Sequence, residues 1–209
     1  MIVWHVRGNM TKIDNIDQIY YWDNFLTQED YDSLWIEFDQ WHWELTGHAV
    51  TEESEPNDIP RMFWYKNLEG AGWMRQLFKI KTEMFLQNNI RSLRLYGNGQ
   101  AHGQSGWIHK DITDSSKGRY GSLVYFLHRD WKPIYGGNLF FTDDTKQNVT
   151  NTFFPKTNSA VMFNSRMNHC ALEPSVYCTS QRISIAFKFK FKEPWEDQEY
   201  LIKPHETPK

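Results

Sequence analysis

The stretch Gly106-Trp107-Ile108-His109-Lys110-Asp111 places a histidine and an aspartate two positions apart. In extended backbone, residues i and i+2 project to the same face, so the His109 imidazole and the Asp111 carboxylate can reach one ion. Two ligands hold a metal weakly. The later run Asn168-His169-Cys170 offers a third ligand in His169. Two imidazoles and one carboxylate on one side of a metal leave other positions open to reactants, a donor set suited to a ferrous ion.

A second His-x-Asp pair, His128-Arg129-Asp130, competes with the first. It follows the apolar run Leu123 to Leu127 and leads into Trp131 and Pro133, which reads as a strand end entering a turn. It also leaves the shorter stretch before His169. A site that draws its pair from an early strand and its third ligand from a late one needs several strands in between, and His109 with Asp111 leaves that room.

Further on, Arg182 and Ser184 share one face of a strand whose other face is Ile183, Ile185 and Phe187. A guanidinium fork beside a hydroxyl suits a carboxylate. Lys188, Lys190 and Lys192 continue the same side, however, which is also the pattern of a solvated face. Only a strand that lines a closed interior gives Arg182 a ligand to hold. Zinc held by His169 with Cys170 and Cys178 lacks the short paired spacings of a four-ligand site, and both thiols read as unpaired. Arg61, Trp64 and Tyr65, with Trp107, are candidates for an aromatic substrate cleft, although ordinary packing accounts for them equally well.

Elements that would position these groups can be read from periodicity. Asp23-Asn24-Phe25-Leu26 followed by Thr27-Gln28-Glu29-Asp30 carries a helix cap with acidic first-turn residues. Tyr31, Leu34, Trp35, Phe38 and Trp41 then recur at helical spacing. Residues 47–60 are polar and acidic and read as an exposed loop. Trp73, Leu77, Ile80 and Met84 predict a second helix over 73–89, with that set as its apolar stripe. From Arg91 the period becomes two, with Leu93 and Leu95 sharing a face and Gly97-Asn98-Gly99 ending the strand. Further strands are predicted at 107–111, 122–128, 138–142, 151–154, 160–163, 169–172 and 182–191. Two leading helices before about eight strands give an α+β chain: a double-stranded β-helix, or jelly roll, with the N-terminal helices packed on one sheet. The division expected is one domain over 1–209, with a helical part at 1–90, the jelly-roll core at 91–192 and a polar tail at 193–209.

The formal net charge of −3 is spread along the chain, which disfavours nucleic acid and anionic membrane as partners. Two cysteines and the lack of a signal-peptide pattern make a reducing cytoplasm the expected location, and no apolar run approaches the roughly 18 residues of a membrane span.

With His109, Asp111, His169 and Arg182 in this order, the chain resembles the 2-oxoglutarate- and Fe(II)-dependent oxygenases of the prolyl 4-hydroxylase type, including the oxygen-sensing prolyl hydroxylases and small bacterial or phage relatives. The matching text is Tyr96-Gly97-Asn98-Gly99, Tyr125-Phe126-Leu127-His128-Arg129-Asp130-Trp131, Gly136-Gly137-Asn138-Leu139, Pro155-Lys156 and Asn168-His169. The resemblance implies His109, Asp111 and His169 as iron ligands and Arg182 as partner of the far carboxylate of 2-oxoglutarate, with Tyr96 and Ser184 beside the cosubstrate. It implies hydroxylation of a peptidyl proline within a peptide or protein, in a bacterial or phage-infected cell. Fe(II), 2-oxoglutarate and O2 would be required, ascorbate is a candidate reductant, and succinate and CO2 are the co-products. In the oxygen-sensing members a tyrosine that helps to hold the far carboxylate aligns with Phe126, which cannot donate; Tyr96 or Ser184 would have to compensate. The interval from His169 to Arg182 implies an extra loop around 173–179. Nucleic acid or a small molecule as substrate, and a jelly-roll binding module without oxidation, are the competing readings.

Overall fold

The computed structural model describes residues 13, 15–47, 62–112 and 115–192. After β1 (Tyr20–Trp22), the Thr27 hydroxyl accepts the Asp30 amide and so caps α1 (Gln28–Phe38). Next come β2 (Glu44–Gly47), β3 (Phe63–Asn67) and α2 (Gly72–Leu86). The strand-rich part holds β4 (Ile90–Gln100), β5 (Tyr120–Phe126), a 3₁₀ turn at Pro133–Tyr135, β6 (Leu139–Thr142), β7 (Val149–Phe153), β8 (Ser159–Asn164), β9 (His169–Ala171) and β10 (Arg182–Phe191).

Pairing is antiparallel throughout, in a seven-stranded sheet ordered β1-β8-β5-β10-β4-β3-β2 and a three-stranded sheet ordered β7-β6-β9. The outer face of the large sheet, with Leu123, Tyr125, Ile185, Phe187 and Phe189, buries Leu34 of α1 and Phe78 of α2. Its inner face, with Val124, Phe126, Val161 and Phe163, packs on Leu139, Phe141 and Phe153 of the small sheet. This is the jelly roll with helices on one sheet. The period-2 alternation of β5, β8 and β10 assigns each side chain to one core or the other.

Several expectations are corrected. α2 buries Met74, Phe78, Thr82, Phe85 and Leu86, while Trp73, Ile80 and Met84 are exposed. The helix carries two stripes at i, i+4 spacing, and the one containing Phe78 meets the sheet. Gly97-Asn98-Gly99 lies inside β4 and does not end it. A Cβ on Gly97 would come 3.2 Å from Trp41 and 3.3 Å from Trp43, and one on Gly99 would come 3.2 Å from Trp64. These glycines are flat places over which tryptophans lie. Leu93 does not pair in step with Leu95, because the ladder slips between Lys188 and Phe189 and leaves Leu93 as the extra residue. Residues 107–111 form a single bridge, His109 with His169, and not a strand. The loop expected at 47–60 lies, beyond Gly47, outside the described residues, as does the tail at 193–209.

Candidate active site

His109 and His169 exchange backbone hydrogen bonds, each amide donating to the other's carbonyl at 3.0 Å. The bridge brings their rings to 4.4 Å between centroids. Each ring is also oriented by its own chain: Nδ1 of His109 lies 2.8 Å from the Trp107 carbonyl, and Nδ1 of His169 lies 2.9 Å from the Met167 carbonyl. A carbonyl only accepts, so both Nδ1 atoms carry a proton, which in a neutral ring leaves the Nε2 lone pair to ligate. Burial is the main force on the His169 imidazole. It brings the pKa down to about 3, with nearby His109 and Lys188 adding to that and Asp111 opposing it, so the ring is neutral and ready to ligate.

Asp111 is anchored by its amide to the Ser165 carbonyl at 2.8 Å. Its Oδ2 accepts from the Ser122 hydroxyl at 2.6 Å and from the Lys188 ammonium. Burial alone would push the Asp111 carboxyl up. Lys188 above all, then the two histidines, outweigh this and hold it well below the ordinary carboxylate range. Oδ1 stands 3.5 Å from His109 Nε2, and Oδ2 stands 3.6 Å from His169 Nε2. Two ligand atoms that share an ion at about 2.1 Å lie no more than about 4.2 Å apart, so both pairs fit. Candidate ligand atoms of all three residues fall within 4.8 Å of one another.

Deeper in the barrel, Arg182 is 1% exposed, the bulkiest of the fully buried side chains among the described residues. Its Nε donates to the Gly137 carbonyl at 2.6 Å, and its Nη1 donates to Gln100 Oε1 at 3.0 Å and to the Ser184 hydroxyl at 3.4 Å. Among the described residues its Nη2 has no hydrogen-bond partner. Burial lowers the guanidinium pKa to about 10, slightly offset by Cys170. A buried cation with an unused donor marks a place for an anion. The inward face of β10 therefore carries Arg182, Ser184 and Lys188 toward the interior, and the solvated-face alternative does not apply to these three.

The other candidates are placed as follows. Tyr96 is on the inward face of β4, its ring 6.0 Å from Lys188 Nζ and 5.7 Å from the ring of Tyr65. Trp64 lies over Gly99 on the side of Ile183, which belongs to the helix-facing core. Trp107 is 41% exposed on the loop that carries His109. Arg61 lies outside the described residues. The rival pair separates: His128 is buried against Trp131, whereas exposed Asp130 sits 3.8 Å from Lys132. Cys170 and Cys178 are unpaired thiols. Gln100, Ser122 and Lys188 went unnoticed as site residues. For Lys188 the signal was available, since it continues the i, i+2 series from Arg182 and Ser184.

Residues 92–190 match the family described as the 2OG-Fe(II) oxygenase superfamily. That match spans the barrel from β4 to β10, and the barrel is similar to that superfamily. The superfamily's cofactors, Fe(II) and 2-oxoglutarate, fit the donor set and the buried cation just described. Among solved structures, the fold is similar to a prolyl hydroxylase from Trichoplax adhaerens in complex with a hypoxia inducible factor peptide fragment (14% identity, 89% of this chain and 87% of that one, TM-score 0.61). It is similar to a Pseudomonas putida prolyl-4-hydroxylase (16% identity, 84% and 93%, TM-score 0.56). It is also similar to HygX from Streptomyces hygroscopicus with nickel and 2-oxoglutarate bound (12% identity, 82% and 82%, TM-score 0.56). No curated protein matches the chain by sequence. No helix among the described residues is long and apolar enough to cross a membrane.

Proposed function

We propose that this chain is a 2-oxoglutarate- and Fe(II)-dependent dioxygenase that hydroxylates a peptidyl proline. The observation that carries the reading is the convergence of His109, Asp111 and His169 in the same barrel interior as a buried Arg182 with a free donor. Iron with 2-oxoglutarate and dioxygen supplies, when bound, the oxidising chemistry: one oxygen atom ends in succinate, the other in the substrate hydroxyl, and CO2 leaves. The two imidazoles would hold the metal through Nε2 and Asp111 through its carboxylate, which Ser122 and Lys188 brace at Oδ2. Arg182 fixes the far end of the cosubstrate. The Phe126, Val124 and Phe163 side chains on the inner face keep bulk water from the reacting centre.

Peptidyl proline is supported by the prolyl hydroxylases among the structures of similar fold, one of them with its peptide. It is also supported by exposed Trp107 next to His109, an aromatic surface of the kind on which proline-containing chains dock. The test is 2-oxoglutarate turnover with Fe(II), with and without a panel of proline-containing peptides, followed by mass spectrometry. Peptide-stimulated succinate release with one oxygen added to proline is the expected result. Turnover stimulated only by small molecules would remove the peptide, and binding of metal without any turnover would remove the oxygenase.

A further inference from the structure

The ladder between β5 and β10 ends at Phe126 opposite Ser184, and one more bond, from the Leu127 amide to the Ile183 carbonyl at 3.1 Å, carries the pairing a step further. That register places His128 across from Arg182. Phe126 packs in the inner core and Leu127 in the helix-facing core, so alternation sends His128 inward beside the guanidinium. His128 is 4% exposed, and its Nε2, like Arg182 Nη2, is buried without a hydrogen-bond partner among the described residues.

Both groups are braced by one turn. The His128 ring stacks on Trp131 at 4.1 Å, with planes 25° apart. Trp131 Nε1 donates to the Gly136 carbonyl at 2.9 Å, and the next carbonyl, Gly137, accepts from Arg182 Nε. A Cβ on Gly137, whose φ is +74°, would come 3.0 Å from Arg182 and 3.3 Å from Trp131, so only glycine lets the turn close on both. On the far side, the Tyr31 hydroxyl of α1 donates to the His128 carbonyl. The ring is thus held in place with Nε2 unused.

Two adjacent buried polar atoms left open call for a ligand that serves both. Arg182 Nη2 can only donate, so the ligand must accept there. A neutral imidazole carries one N–H, and burial together with the neighbouring guanidinium keeps His128 neutral by holding its pKa well below the usual histidine range. A carboxylate, with two acceptor oxygens, satisfies Nη2 and an Nε2–H together. Phe126, 5.2 Å from the guanidinium carbon, offers a ring face and no donor.

We propose that His128 is the second donor to the far carboxylate of 2-oxoglutarate, which is gripped between Arg182 Nη2 and His128 Nε2–H. This rests on the dioxygenase reading above and deepens it by naming the residue that completes the grip on that carboxylate.

The test uses the full chain loaded with redox-inert Zn(II), with 2-oxoglutarate binding followed by calorimetry. His128→Phe keeps the ring on Trp131 and removes the donor; it should weaken 2-oxoglutarate by roughly 10- to 100-fold, the worth of a neutral donor on a charged acceptor. His128→Gln, whose amide nitrogen reaches the place of Nε2, should retain most of the affinity. The monoacid 2-oxobutanoate, which lacks the far carboxylate, should bind both variants as it binds the wild type. Because a variant can fail to fold, two-bond 1H–15N spectra of the wild-type imidazoles supply an independent readout: 2-oxoglutarate should shift a neutral, Nε2-protonated ring that is missing from the His128→Gln spectrum. Wild-type binding with undiminished affinity in His128→Phe, or no response of that ring, overturns the assignment and leaves the dioxygenase reading standing. No 2-oxoglutarate binding by the wild-type Zn(II) form overturns both.

Discussion

Lys188→Met tests whether the interior cation is a working part of the metal site. The lysine and Asp111 side chains are 12% and 7% exposed, and the ammonium contacts Oδ2 of Asp111 and lies 3.4 Å from the Ser122 hydroxyl. Methionine fills a similar volume and leaves a buried carboxylate without its counter-ion. Breaking a buried pair in this way costs about 3–5 kcal/mol. For a chain of this size each kcal/mol is worth about 2–4 °C, so the melting temperature in chelator should fall by roughly 6–20 °C. Protonation of Asp111 limits the loss, so the deficit should shrink as the pH is lowered. A divalent ion replaces the missing positive charge, and saturating Mn(II) should therefore raise the melting temperature more in Lys188→Met than in the wild type. Differential scanning calorimetry in chelator and in Mn(II) reads both effects. Equal melting temperatures in chelator, or equal increments with metal, would refute the pairing.

Three further outcomes follow from particular residues. His169 titrates near 3 and His128 well below its usual range, so the unfolded chain binds more protons than the folded one below about pH 6.5; stability in chelator should rise between pH 4 and 6.5 by up to about 1.4 kcal/mol per pH unit for each histidine, and a flat profile from acid-dependent urea melts would contradict this. Gly121→Ala would drive a methyl group into Phe189 and Ile16, both fully buried, and should cost about 1–3 kcal/mol in urea unfolding; an unchanged midpoint would show that this strand contact is looser than described. Trp107→Ala removes the exposed ring beside His109 but leaves the carbonyl that orients it, so the KM for a proline peptide should rise while 2-oxoglutarate binding to the Zn(II) form stays unchanged.

The candidate metal-binding group was legible because its chemistry is local: a His-x-Asp pair and a distant histidine need only a fold that brings two segments together. Arg182 was legible for its type and its strand, but whether it faced water could not be read, since β10 carries polar groups along one whole side. The answer lies in the small sheet across the barrel, which no local pattern announces. Lys188 was obscured for the same reason. The outer stripe of α2 was misread because Trp73 and Ile80 are as apolar as Met74 and Phe78, and only the position of the sheet chooses between them. Gly97-Asn98-Gly99 has the composition of a turn; it is strand because Trp41, Trp43 and Trp64, all distant in sequence, lie across it.

One metal ion bound where two chain segments meet is what this site requires above all. Titration of the full chain with Mn(II), with the free ion read by electron paramagnetic resonance, in the wild type, Asp111→Ala and Asp130→Ala, tests that claim. One Mn(II) per chain in the wild type and in Asp130→Ala, with that binding lost in Asp111→Ala, is the predicted result. Wild-type binding retained in Asp111→Ala, or lost instead in Asp130→Ala, would contradict it.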